Sequence, residues 1–238
     1  MLKLENVNVR YPSGVEAVRN VNLSLEEEKI HGIIGPSGGG KSTVLKSILN
    51  LVPHTGIVSF RGKPVTDFSK QVAYVQQKEQ IDKDFPITVF QCVLLGTYPT
   101  LGLFKNPGDK ERKLTLQALQ NANLAELKNR QIGELSGGQF QRMLIARAIV
   151  QDATLMLLDE PFVGIDVENE AHLVQQLKLL AEVGKTILIV HHDLNKTADY
   201  FDEIVLINKR VIAAGSIEQA FTEENIAETY GIFIPTKQ

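Results

Sequence analysis

The stretch that most constrains this 238-residue chain is Gly35-Pro36-Ser37-Gly38-Gly39-Gly40-Lys41-Ser42, which fits the pattern G-x-x-x-x-G-K-[ST]. It lies between the apolar run Ile30 to Ile34, of strand length, and the helical pattern Lys41 to Leu49. Glycine loses more backbone freedom on folding than any other residue, so three in a row are a costly way to build a simple turn. They suit a loop whose N–H groups point inward at phosphate oxygens, at the positive end of a helix dipole. Lys41 then reaches the β- and γ-phosphates and the Ser42 hydroxyl ligates Mg²⁺. The plain alternative is a glycine-rich turn with no ligand, and the strand-loop-helix context argues against it.

Around this loop, short apolar runs alternate with helix-length segments: Ile30 to Ile34, Leu155 to Leu158, Ile187 to Val190 and Ile204 to Ile207. That alternation predicts an α/β fold, a parallel sheet covered by helices. Leu2 to Val9, Val21 to Leu25, Gly56 to Phe60 and Val72 to Val75 are β-prone and separated by turns such as Pro12-Ser13-Gly14. They predict a small antiparallel sheet beside the main one. From about 86 to 150 the pattern becomes helical, with Thr88 and Gln91 spaced as a capping box and a periodic stretch from Lys110 to Leu124, as expected of a helical subdomain inserted into the core. Ser216 to Tyr230 reads as one or two short helices. With no repeat or long linker, residues 1–238 are expected to form a single domain.

Composition narrows the function. A net charge of -3 with interspersed signs gives no basic stripe, so nucleic acid is not an expected partner. The apolar runs are far too short to span a bilayer, so any membrane role passes through a partner. The polar start Met1 to Asn6 lacks the apolar stretch of a signal peptide, and the single Cys92 cannot form an internal disulfide; both point to the cytosol.

Two further motifs carry chemistry. The run Leu155 to Leu158 ends in Asp159-Glu160, which sets two carboxylates at the carboxyl edge of a sheet, where ligands of α/β proteins bind. Asp159 fits the Mg²⁺ side, directly or through water, and Glu160 fits the residue that polarises an attacking water. Leu135-Ser136-Gly137-Gly138-Gln139 precedes the helical stretch Phe140 to Val150. Ser136 with Gln139 three residues on is a capping box in its ordinary reading; in its functional reading, Ser136, Gly137 and Gly138 form a second anion-binding helix start, suited to a γ-phosphate.

With these motifs, in this order, the sequence resembles the ABC-type ATPases, whose signature is LSGGQ. The resemblance covers essentially the whole chain and implies a P-loop NTPase core of RecA-like type. It also implies a homodimer in which each ATP lies between one chain's P-loop, Thr43 included, and Ser136 to Gln139 of the other. Tyr11 matches the aromatic that stacks on adenine, with an ordinary turn tyrosine as the alternative. Gln77 matches the glutamine that senses Mg²⁺ and the attacking water, although Gln76 stands where many relatives have proline, so either glutamine fits. Asp166, in Val163-Gly164-Ile165-Asp166, matches the loop that communicates across the dimer, and a helix N-cap is compatible with that role. His192, which directly precedes Asp193, matches the histidine that contacts the γ-phosphate; adjacent side chains such as His191 and His192 rarely converge on one metal ion.

A chain without a membrane span, a fused second copy or a coiled-coil insertion resembles the separate ATP-binding subunit of an importer. That implies integral membrane permease subunits as partners, an extracytoplasmic metal-binding protein as an indirect one, and a peripheral place on the cytoplasmic face of the membrane. The permease is expected to dock on Lys78 to Gly96, with Phe85 or Phe90 as contacts. Lys78 to Asp82, Asp84 to Phe90 and Glu160 to Asp166 are similar to the manganese, zinc and iron uptake group, manganese foremost. Another importer cargo, such as an iron chelate or an amino acid, and a nucleotide-gated regulator with little turnover are the alternatives. A P-loop kinase would leave LSGGQ idle.

Overall fold

A computed structural model of the chain describes residues 1–77, 82–101 and 105–232. Lys78 to Ile81, the first part of the expected docking stretch, lie outside the described residues. In chain order the principal elements are β1 (Leu2–Arg10), β2 (Glu16–Leu25), β3 (Ile30–Ile34), α1 (Lys41–Ile48), β4 (Thr55–Phe60), β5 (Lys63–Pro64), β6 (Val72–Val75) and α2 (Val89–Leu94). They continue through α3 (Tyr98–Leu101), α4 (Asp109–Asn121), α5 (Gly137–Val150), β7 (Leu155–Asp159), α6 (Val167–Glu182) and β8 (Thr186–His191). The chain closes with α7 (Thr197–Tyr200), β9 (Glu203–Asn208), β10 (Arg210–Ser216), α8 (Ile217–Ala220) and α9 (Glu223–Tyr230). Two compact units result, Met1–Ser69 with Ala181–Gln238, and Lys70–Leu180.

The first unit holds the antiparallel sheet β2-β1-β4-β5 and strands in the order β10-β9-β3-β8. β3 pairs in parallel with β8 and β9, and β10 folds back antiparallel on β9. β3 is buried at every position, as its largely apolar run, interrupted only by His31, requires of a strand covered on both faces. The second strand starts at Glu16, well before the expected Val21, because a bulge hides its alternation: Asn20 takes φ 48°, and Asn6 opposite takes φ 52°. The side chains of Asn8 and Asn22 accept the N–H groups of Asn20 (2.7 Å) and Asn6 (2.9 Å), which keeps the bulged backbone satisfied. The tenth strand was not foreseen; its mixed run Arg210 to Ser216 has no clear period of two.

In the second unit, β6 pairs in parallel with β7, so Val72 to Val75 do not join the antiparallel sheet expected of them: their strand partner is the buried apolar run Leu155 to Leu158. The Gln151 amide at the end of α5 donates to the Val72 carbonyl (2.9 Å) and anchors that helix on β6. The Thr88–Gln91 capping box starts α2 as expected, with Gln91 N–H on Thr88 Oγ1 (3.2 Å) and Thr88 N–H on Gln91 Oε1 (2.9 Å). After α2 the chain must have glycine at 96: a Cβ there would stand 2.1 Å from the Arg147 carbonyl of α5. Among the described residues no helix is long and apolar enough to cross a membrane.

At the N-terminal edge of β3, His31 is fully buried, its Nε2 2.9 Å from the Glu26 carbonyl and its Nδ1 3.4 Å from Glu203 Oε2. Lys29 bridges Glu203 (2.5 Å) and Glu26 (2.6 Å), and Asp202 accepts the Ile30 N–H. Burial holds the His31 imidazole below its usual range, outweighing the pull of the Glu203 charge. The unfolded chain therefore takes up a proton near pH 6.5 that the folded chain refuses, so this contribution is complete above that pH and is lost as pH falls below it. The melting temperature is expected to drop between roughly pH 7 and pH 5, with a shallower slope in His31→Asn; an unchanged slope in the variant would assign the drop elsewhere.

Candidate nucleotide site

In the first unit, β3 runs straight into the glycine loop. Gly35 has no room for a side chain, since a Cβ would lie 1.9 Å from the Ile207 carbonyl, and Gly40 takes φ 93° with a Cβ position 2.4 Å from Val18. Gly38, at φ 73°, would carry its Cβ into open space, so its glycine serves backbone conformation alone. The turn between β9 and β10 supports the loop from outside: Lys209, at φ 59°, donates its N–H to the Gly39 carbonyl (2.7 Å) and accepts that of Arg19 (2.7 Å).

Lys41 is 7% exposed, and its ammonium donates to the carbonyls of Gly35 and Pro36, each at 2.9 Å. These contacts keep a buried cation folded back over its own loop. Helix α1 has no side-chain cap and no acidic residue in its first turn, so its dipole is left for an anion. Tyr11 sits beside the start of this helix, its hydroxyl 3.2 Å from Thr43 Oγ1. His192 is exposed just past β8, while His191 is buried against the rings of Tyr200 (5.8 Å) and Phe201 (5.7 Å). The two histidines thus face different surroundings, and no group of three or more His, Cys, Asp or Glu among the described residues could hold a metal ion.

The second unit carries the carboxylates and the LSGGQ turn. Asp159 ends β7 with 1% exposure, and it presses on Tyr74: burial first, then the Asp159 charge, push the Tyr74 phenol up to about 12. Glu160 follows at φ 52°, a left-handed backbone uncommon for a side-chain-bearing residue, in a turn where Val163 N–H returns to the Glu160 carbonyl (3.3 Å). Gln76 and Gln77 follow β6, both half-buried. Gln76 lies on the wall of a cavity of about 300 Å³ with Tyr74, Leu144, Arg147 and Gln151.

Ser136 caps α5, accepting Gln139 N–H (3.3 Å), while its own N–H reaches Gln139 Oε1 (3.0 Å). Gly138 has no room for a side chain, for a Cβ there would stand 2.5 Å from the Gly164 carbonyl. Asp166 accepts the N–H (3.0 Å) and the side-chain amide (2.9 and 2.8 Å) of Asn169, which holds its carboxyl below the usual range. It caps the start of α6, as expected. Sequence reasoning missed Ile207 and Lys209, which contribute only backbone, and Asn169, whose partners come from distant segments.

The chain matches the family described as ABC transporter over residues 18–163. It is 50% identical to the manganese transport system ATP-binding protein MntB of Listeria monocytogenes, over 97% of this chain and 96% of that one. It is 47% identical to the zinc transport system ATP-binding protein TroB of Treponema pallidum, over 89% of this chain and 80% of that one. Among solved structures, the dimeric post-hydrolysis state of the ATP-binding cassette MJ0796 bound to ADP and Pi superposes with a TM-score of 0.81 at 31% identity, covering 91% of this chain and 99% of that one. With its glycine loop, its strand-end carboxylates and its LSGGQ helix, the chain belongs to the ABC transporter family and forms the family's ATPase.

Proposed function

We propose that this chain hydrolyses MgATP as a pair of identical subunits and powers the import of a divalent transition metal, manganese foremost, through a separate membrane permease. The observation that carries the ATPase reading is the buried Lys41 ammonium over a helix start with no side-chain cap, which suits the phosphates of a nucleotide. The backbone of Gly35, Pro36, Ser37, Gly38, Gly39 and Gly40 binds phosphate oxygens, Lys41 leaves its loop carbonyls for the β- and γ-phosphates, and Ser42 and Thr43 continue the cradle. Tyr11 stacks on the adenine.

The Ser42 hydroxyl, the Asp159 carboxylate and the Gln77 amide are hard oxygen donors of the kind Mg²⁺ takes, and the bound ion would offset phosphate charge. Gln76 lines the cavity beside α5, which favours Gln77 for this role. Glu160 polarises the water that attacks the γ-phosphorus and receives its proton as the bond to the β-phosphate oxygen breaks; His192 steadies the γ-phosphate. Ser136, Gly137, Gly138 and Gln139 act on the nucleotide of the partner chain, and Asp166 reports across the dimer. The dimeric state of the similar cassette supports this arrangement.

The permease docks on the segment that follows Gln77, where Phe85 is 59% exposed while Phe90 is half-buried, so Phe85 is the better contact. Leu95, near the end of the same stretch, is exposed as well. An extracytoplasmic binding protein delivers the metal, and the subunit sits on the cytoplasmic face of the membrane. The cargo rests on the manganese and zinc relatives, since none of the residues above would touch the transported ion.

Glu160→Gln should keep ATP binding, slow phosphate release by at least about 100-fold and accumulate an ATP-bound dimer; full activity would sink its role toward water. Ser136→Arg should lose turnover yet bind ATP as a monomer with near-native affinity, and loss of that binding would argue against action in trans. Cells without the chain should take up less manganese, and an unchanged manganese, zinc and iron profile would move the cargo elsewhere.

A further inference from the structure

The loop Val163 to Asp166 and the helix that begins at LSGGQ are joined at two places within the second unit. One is the close backbone approach of Gly138 to Gly164. The other is a chain of polar contacts centred on Asn169. Its side-chain carbonyl accepts from Arg142 Nη1 of α5 (3.0 Å) and from Asn123 Nδ2 (3.1 Å), and its amide nitrogen donates to both oxygens of Asp166 (2.9 and 2.8 Å).

This pattern has one direction. Turning the amide over would set its NH₂ against two donors and its oxygen against a carboxylate, so the Asn169 rotamer is fixed from both sides. Arg142 is held in turn by the carbonyls of Ala122 (2.6 Å) and Asn123 (3.4 Å) at the C-terminal end of α4, where a cation suits the helix dipole. Helix α6 grips the same end, with His172 Nε2 at 2.8 Å and Gln176 Nε2 at 2.6 Å from the Asn121 carbonyl. The guanidinium charge is thus relayed through a neutral amide to the Asp166 carboxylate.

We propose that Asn169 is a positioning residue that locks the Asp166 loop to the LSGGQ helix through Arg142, so that both elements meet a partner chain as one rigid body. The inference rests on the reading that Ser136 to Gln139 and Asp166 act at a dimer interface. Asn169 has no contact with nucleotide in this account; it acts through Asp166 and Arg142.

The test uses the full chain. Asn169→Asp keeps the shape but sets a second carboxylate against Asp166. Turnover per bound nucleotide should fall about tenfold at pH 8, with the affinity for a fluorescent ATP analogue within twofold of native. The deficit should narrow as pH falls toward 6, because two facing carboxylates come to share one proton. Asn169→Ala should lose turnover without that pH-dependent recovery. Native turnover in the Asp variant, a pH-independent deficit there, or loss of analogue binding in step with turnover would overturn the proposal. If the Asp variant does not fold, Asn169→Ser decides: reduced turnover at native affinity supports the lock, and native turnover overturns it. Should the native chain's turnover show no dependence on dimer formation, the interface reading fails and the inference falls with it.

Discussion

The first unit is organised around a buried cation held by main-chain oxygens. Lys41 is folded back over the loop that precedes it, and the carbonyls it meets there, those of Gly35 and Pro36, belong to the first two residues after β3. Desolvating an ammonium costs several kcal/mol unless it is well paired, so the loop cannot relax away from it cheaply. The burial of β3, the glycines that admit Ile207 and Val18, and the turn at Lys209 all serve to keep those carbonyls in place. A polyphosphate offers the same cation better partners. The loop carries its own weaker substitute for the ligand it is proposed to bind.

Much of this was legible in the sequence because local rules governed it. Glycines at 35 and 38 to 40, the Thr88–Gln91 and Ser136–Gln139 boxes and the apolar run of β3 each announce a local geometry, and each has that geometry in the structure. The start of β2 was hidden because Asn20 breaks the alternation at a bulge, so an unbroken period of two first appears after it. β10 escaped because a strand held by one neighbour need not be strongly patterned. Helix α5 begins at Gly137, directly after the Ser136 cap, where the Ser136–Gln139 box puts its first turn.

Other features lay beyond any local rule. Asn169 and Arg142 are 27 positions apart and share no motif, yet they make the contact that ties two candidate interface elements together. Ile207 and Lys209 act through carbonyl and amide groups that every residue owns, so no side-chain pattern could mark them. Histidines 191 and 192 show the converse. Their adjacency suggests an equivalent pair, and their ring centroids do lie 5.7 Å apart, but His191 at the strand end is buried while His192 just past it is exposed.

The turn that braces the glycine loop through Lys209 has a consequence for how this molecule can change over time. Its contacts with Gly39 and Arg19 are main chain to main chain, so the side chain at that point can vary within what a φ of 59° allows, while the number of residues in the turn cannot. A swap to another residue that accepts the left-handed backbone and keeps its N–H would pass unnoticed by the glycine loop. A single insertion or deletion would be transmitted directly to it.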